Sequence, residues 1–392
     1  MENRRVIVLG SAHENTIGMV QSLGRKDLYV IGVLLQGGGI VRKSIYVKEI
    51  YPVVDYQEGI EFISKNLVFP SPTVIIPCGD EAALLLEKNK DLLEDHFVFQ
   101  HTDHGITLAD AMNKHFQTEI ASSCGFDVPS SFVIEKDKPF DKNIFMFPCI
   151  IKPLASCEGD KNDIRVVRSH EELGQSLFDI FQHSHRAIVQ EFIEKKDFEL
   201  NILGCGLSNG DCVVPCSIRK LRIHPNERGS VSVGLVEPIS EELSPIVKVI
   251  KRMVSKLGYV GLFSVELMCV KSKQKNYFIE MNLRNDALNP FVVKNGVNLP
   301  YIHYMDLVGE AISPLFKPIS VTAKMIMEPV HFTSVYRRSV SVWDWIKDII
   351  SADAFSLYYK EEWKLFWALF SNKIKDRIKI IFKESNSIIA HK

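Results

Sequence analysis

Short apolar runs separated by polar, glycine-bearing connections dominate the first hundred residues. Residues 5–10 read Arg-Val-Ile-Val-Leu-Gly, a helix-compatible stretch follows to Leu23, and residues 29–34 form a second apolar run. This alternation predicts a parallel α/β layer. Another strand ends at residues 77–81, Pro-Cys-Gly-Asp-Glu, where a helix starts and Asp80 is either its N-cap or a substrate contact. Farther along, apolar runs carry one or two charged residues each: Lys152 near the end of residues 147–154, Glu191 and Glu194 within 187–194, Asp197 and Glu199 within 197–203, Glu266 within 261–268. Residues 278–284 read Phe-Ile-Glu-Met-Asn-Leu-Arg and place Glu280, Asn282 and Arg284 at two-residue spacing, on one face of an extended strand.

The last sixty or so residues follow a different rule. After Pro329 there is neither Gly nor Pro, so long helices are permitted, and all four tryptophans (Trp343, Trp345, Trp363, Trp367) fall here. Trp363, Phe366, Trp367, Phe370, Ile374, Ile378 and Ile381 recur at helical spacing beside Lys364, Lys373, Lys375, Arg377, Lys379 and Lys383. From residue 331 onward there are 11 Lys plus Arg against 7 Asp plus Glu, a net of +4. Such a helix either lies on a membrane surface or docks on its own protein core.

A chain of 392 residues, 46% hydrophobic, is long enough for two or three packed domains. A formal net charge of -1 gives no overall case for nucleic acid as a partner. Eight cysteines without a Cys-x-x-Cys pair, no signal peptide and no membrane-length apolar run point to a reducing cytoplasm, with peripheral contact at the inner membrane face the alternative the basic tail allows. Residues 10–18 lack the G-x-G-x-x-G spacing of a dinucleotide site, which argues against NAD. The twelve histidines show no metal-ligand spacing, so zinc is disfavoured, and no Ser-His-Asp or Cys-His arrangement suggests covalent catalysis.

The acids carry the chemistry. Magnesium takes hard oxygen ligands and shares them between one or two carboxylates and substrate phosphates, so Glu266, Glu280 and Asn282 on adjacent strands suit a nucleotide-bound ion. A solvated hairpin would place acids in the same way. Lys152, before a small-residue loop at 155–161, can reach a phosphate as a point charge. Arg219 and Lys220, in a cation-rich run at 217–225, are candidates for an anionic acceptor.

In order and spacing these blocks resemble the ATP-grasp superfamily, and most closely its carboxylate-amine ligases, such as D-aspartate ligase and carbamoyl phosphate synthetase. Residues 108–116, with Lys114, and the Gly-x-x-x-Pro at 125–129 resemble the family's opening helix and its exit. The resemblance covers residues 1 to about 325. It implies an α/β and α+β chain: a Rossmann-like preceding domain at 1–112 that forms part of the acceptor site, a lid subdomain at 113–185, a larger antiparallel-sheet subdomain at 186–325 and a helical tail at 326–392.

It further implies ATP with Mg²⁺, or Mn²⁺ in its place. Glu266, Glu280 and Asn282 would hold the metal, while Lys114 and Lys152 contact phosphates. Glu191, Phe192 and Ile193 would form the adenine hinge, and Asp197 or Glu199 would take the ribose, Asp197 by its place in the pattern. Arg284 would stabilise an acyl phosphate. The expected reaction joins a small-molecule carboxylate to an amine, or a thiol, through an acyl phosphate with release of ADP and phosphate. A phosphotransferase that stops at a phosphorylated product, or a silent nucleotide-binding module attached by its tail, would carry the same scaffold. A homodimer is compatible with either.

Overall fold

The computed structural model describes residues 4–141, 144–154, 164–193, 197–225, 229–270, 275–337 and 339–371. Five parallel strands open it: β1 (Arg5–Gly10), β2 (Tyr29–Leu35), β3 (Val47–Val53), β4 (Thr73–Pro77) and β5 (Phe97–Phe99), in the order β3-β2-β1-β4-β5. The apolar runs of β1, β2 and β4 are buried on both faces, while β3 at the sheet edge is partly exposed. Val6 and Val8 pack with Ile17 and Met19 of the helix Glu14–Gly24, whereas Ile7 and Leu9 face Ile60 and Ile63 of the helix Tyr56–Asn66. The direction of winding reverses between β1 and β4, and at such a switch point a crevice opens beyond the carboxyl ends of the strands.

A small antiparallel sheet follows, formed by β6 (Ser131–Glu135), β7 (Cys149–Pro153), β8 (Arg165–Val167) and β9 (Arg186–Glu191) in the order β6-β9-β7-β8. The helix His170–Ile180 lays Leu173 and Leu177 on Ile151 and Val189, giving this sheet a core of its own. β9 pairs with both β6 and β7, so the small sheet extends six residues past the division at 185 drawn from the sequence.

The larger sheet contains β10 (Phe198–Gly206), β11 (Cys212–Val213), β12 (Ser217–His224), β13 (Ser230–Glu237), β14 (Gly261–Val270), β15 (Lys275–Asn282), β16 (Ala323–Ile326) and β17 (Ala354–Phe355). The path runs β15-β14-β10-β12-β13-β16-β17, with β11 beside β10. Side chains alternate across it. Leu200, Ile202, Val265 and Leu267 face the helices Ser244–Leu257 and Lys114–Cys124, while Leu203, Cys205, Ile218 and Leu262 share one core with the amino-terminal layer. The two domains therefore have a continuous apolar interior.

The carboxyl-terminal region joins this body. β17 adds to the large sheet in parallel with β16, and Phe332 of the helix Glu328–Tyr336 packs against Trp345, Phe366 and Phe370. Beyond it the chain reaches back to the first domain. Buried Glu362 accepts hydrogen bonds from Gln21 Nε2 at 2.6 Å, from the Ile45 amide at 2.9 Å and from Ser44 Oγ. Of the two environments open to the amphipathic pattern, the part through residue 371 is docked on its own core, although Trp343, Trp363 and Trp367 stay exposed. Ile374, Ile378, Ile381 and their neighbouring cations lie outside the described residues. No described helix is long and apolar enough to cross a membrane.

This strap gives a direct test. Glu362→Ala leaves three donors without their acceptor and is expected to cost about 3 kcal/mol. Glu361→Ala removes only half-exposed contacts with Arg25 and Tyr46 and is expected to cost under about 1 kcal/mol. Denaturant titration of the two variants side by side checks the difference.

Candidate active site

The site is laid out by the pairing of β14 with β15. Ser264 lies opposite Asn282 and Glu266 opposite Glu280, but the next pair is Leu267 with Phe278, so Ile279 is an unpaired bulge. A bulge shifts the alternation by one residue. Phe278 points with Leu267 into the core, and Glu280, only two residues later, is aimed with Glu266 at the opposite face. Gln117 of the helix Lys114–Cys124 clamps the strand by donating to the Met281 carbonyl at 2.7 Å and accepting from its amide at 3.0 Å.

Two cavities meet at these acids. One, of about 350 Å³, lies between the small and large sheets and is lined by Lys114, Lys152, Glu191, Phe192, Ile193 and Glu199, together with Glu266 and Glu280. Lys152 is 6% exposed and donates to Gln190 Oε1 at 3.2 Å. Burial and the nearby Lys114 ammonium lower its pKa to about 8, against the opposing pull of Glu280. Lys114 stands 3.9 Å from Glu280. Lys220 bridges Glu266 at 2.6 Å and Glu199 at 3.2 Å; burial opposes its charge, but the two carboxylates outweigh it and raise its pKa.

The second cavity, of about 500 Å³, occupies the switch-point crevice between β1 and β4 and shares Lys220, Glu266 and Glu280 with the first. Its walls include His13, Tyr56, Asp80, Asn201, Asn282 and Arg284. Arg284 donates through Nε to Asp80 at 2.7 Å, through Nη1 to the Asn285 carbonyl at 3.1 Å and through Nη2 to Asn282 Oδ1 at 3.4 Å. Burial disfavours its charge, yet Asp80, Asp286 and Glu280 raise its pKa further. Asp80 is the first residue of the helix Asp80–Lys88 and Gly79 is its N-cap, so the capping role expected from sequence gives way to an ion pair across the domain boundary.

The donor set suits magnesium. Among the described residues no three His, Cys, Asp or Glu side chains gather into a metal cluster. Two carboxylates and an amide remain, which is what an ion completed by phosphate oxygens and water requires.

A family model for the ATP-grasp domain matches residues 111–287. The chain carries an ATP-grasp domain. It is 23% identical over 241 residues to D-aspartate ligase from Enterococcus faecium, covering 58% of this chain and 56% of that protein. The match spans about half the length of two curated relatives, 56% and 44%, and a third or less of three others. Among solved structures, the biotin carboxylase domain of Hydrogenobacter thermophilus 2-oxoglutarate carboxylase, crystallised with MgADP and bicarbonate, superposes with a TM-score of 0.65 at 16% identity over 82% of this chain and 73% of that one. L-amino acid ligase from Bacillus licheniformis gives a TM-score of 0.61 at 17% identity over 83% and 80%. These likenesses establish the fold.

Within the ATP-grasp domain, most residues expected from sequence converge, and Arg219 does not. Alternation along β12 places it on the face opposite Lys220, where it holds Glu237 through two 2.9 Å bonds and covers the Phe198 ring in a separate cavity. Glu199 lines the cavity between the small and large sheets, whereas Asp197 stands just before β10 with its amide bonded to the Cys269 carbonyl. The loop at 155–161 and Glu194 lie outside the described residues. Sequence reading missed Gln117, Asn201, His13 and Tyr56, which are uncharged or unremarkable in their local pattern and gain meaning only from the packing of the domains. The electrostatics are testable directly. Glu280→Gln is expected to lower the Lys152 pKa below about 8 and Lys114→Met to raise it, as read from the pH dependence of Lys152 labelling by an amine-selective reagent resolved by mass spectrometry.

Proposed function

We propose that this chain is an ATP-dependent ligase that activates a small carboxylate as an acyl phosphate and joins it to an amine, releasing ADP and phosphate. The observation that carries the reading is the shared wall: Lys220, Glu266 and Glu280 line both a cavity with an apolar hinge and one with a guanidinium, so phosphate and carboxylate would meet at that wall. The names of the relatives point the same way.

Adenine would lie against the hinge. The amides of Glu191 and Phe192 are taken by the carbonyls of Ser130 at 2.8 Å and Pro148 at 3.3 Å, which among the described residues leaves the Ile193 amide as the donor to the base. Glu199 would accept from the ribose hydroxyls, and Lys114 and Lys152 would hold the terminal phosphates. Glu266, Glu280 and Asn282 would hold the magnesium, which neutralises charge on the transferred phosphoryl group. A carboxylate oxygen of the substrate attacks the γ-phosphorus and the bond to ADP breaks. The amine then attacks the acyl carbon, phosphate leaves, and the nitrogen gives up a proton to solvent. Arg284, fixed by Asp80, lies where negative charge collects on the acyl oxygens in both steps.

Phosphate release in a screen of amino-acid pairs with Mg-ATP is expected to be accompanied by ADP; AMP and pyrophosphate would overturn the acyl-phosphate route. Glu280→Gln is expected to lower that turnover by about a hundredfold or more.

The lowered pKa of Lys152 adds a pH signature. Above about pH 8 the side chain is neutral in the empty protein and must take up a proton to pair with phosphate, so ATP binding weakens as pH rises through that value. Lys152→Arg keeps its charge at every pH used and is expected to flatten the profile, as measured by ATP titration between pH 7 and pH 9.5.

A further inference from the structure

Asn201 lies in β10 with its Cα paired to Glu266 on one side and Ile218 on the other. Glu266 pairs in turn with Glu280, so Asn201, Glu266 and Glu280 form one cross-strand row on the face that walls the crevice cavity. Asn201 is 2% exposed, and its side-chain oxygen has no hydrogen-bond partner among the described residues. A buried amide oxygen without a donor is uncommon, because leaving it unsatisfied costs free energy. The same strand shows what else could fill the position: Leu203 and Cys205, the next residues on this face, are apolar and packed in the core. The unmet acceptor thus occurs where the packed interior gives way to the cavity.

The cavity limits what can answer it. Lys220 is engaged by Glu266 and Glu199, and Arg284 by Asp80, Asn285 and Asn282. Arg284 follows Glu280 and Asn282 along the chain just past the end of β15, and Asn201 stands two strands from Glu280 at the other end of the row, in the same cavity. A carboxylate seated by Arg284 and phosphorylated beside Glu280 would have its acyl carbon in the cavity that Asn201 also lines. The attacking amine carries N–H bonds that need an acceptor, and its lone pair must point at that carbon. We infer that Asn201 is the residue that receives the amine substrate, its Oδ1 accepting an N–H of the nucleophile and turning the nitrogen lone pair toward the acyl carbon. This rests on the ligase reading and extends it by assigning the amine to the β10 end of the cavity and the carboxylate to the Arg284 end. No new bond chemistry is added, since the nitrogen still forms the amide bond, phosphate still leaves and the proton still passes to solvent.

Because the amide oxygen and nitrogen are assigned from their surroundings, the orientation itself needs testing. The experiment uses the full chain with Mg-ATP, the amino-acid pair that gives most phosphate release, and hydroxylamine at saturating concentration as a small nucleophile that intercepts acyl phosphate. Asn201→Leu is expected to raise the KM for the amine about tenfold or more. The KM for ATP, the magnesium concentration at half-maximal rate and the hydroxamate yield should stay within about twofold, since the steps before amine attack are untouched. Asn201→Asp, which keeps an acceptor at that place, should retain amine binding.

An unchanged amine KM in Asn201→Leu would overturn the assignment and make the residue structural. A change confined to the magnesium requirement would overturn it in favour of a metal ligand, and a variant that loses ATP binding as well would be assigned to the fold. If the unmodified protein releases phosphate but forms no hydroxamate, the acyl-phosphate reading fails separately from the placement of the amine. If it releases none with any pair, the ligase reading fails and takes the inference with it.

Discussion

Everything polar in the cleft depends on the register of one hairpin. A slip of one residue between β14 and β15 would turn Glu266 or Glu280 into the hydrophobic core and bring Leu267 or Met281 to the cavity. The bulge at Ile279 is the device that makes the two halves of β15 serve different needs. Before it, Tyr277 and Phe278 follow the packing demands of the core; after it, Glu280 and Asn282 follow the demands of the site. Gln117 holds this arrangement from an adjacent helix by bonding both the amide and the carbonyl of Met281, so the strand end cannot twist without breaking a buried pair of hydrogen bonds.

Charge is arranged around the hairpin by depth. Acids line one face of the large sheet, Lys152 faces them from the small sheet and Lys114 from the helix Lys114–Cys124, and a third cation, Lys220, is locked between Glu199 and Glu266. The contrast between Lys152 and Lys220 shows how location decides behaviour. Both are buried, but Lys152 has an uncharged hydrogen-bond partner and a like charge nearby, and its pKa falls to about 8. Lys220 has two carboxylates in contact, and its pKa rises. The first is poised to respond to an arriving anion, and the second helps to hold the strands beneath it.

The fold and the metal-side wall were legible because they leave periodic marks. Alternating apolar and charged residues mark strands, and a Glu-x-Asn spacing puts two oxygens on one face whatever the tertiary context. The bulge was not legible, since Phe278 and Glu280 also sit at two-residue spacing and yet face opposite ways. Arg219 and Lys220 looked equivalent in a cationic run, but a strand separates neighbours by a whole sheet thickness. Asp80 resembled an N-cap because the first turn of a helix and its cap differ by one residue, and its partner Arg284 is 204 residues away. Asn201 carried no signal at all, being one amide in an apolar strand. Long-range pairings of this kind are set by packing between domains and cannot be read from local order.

The distribution of cores has a mechanical meaning. The amino-terminal layer and the large sheet share one apolar interior, and the carboxyl-terminal strap through Glu362 ties them again from outside. The small sheet keeps a separate hydrophobic cluster, formed from its own strands and the helix His170–Ile180. Relative movement is therefore cheapest between β9 and β10, where Lys152 would lift away with the small sheet while Ile193, packed on Val270 and Tyr277, and the acids of the large sheet stay fixed. Such a molecule would open like a hinged box whose base is rigid, so the crevice between β1 and β4 would keep its shape whether the small sheet is raised or lowered.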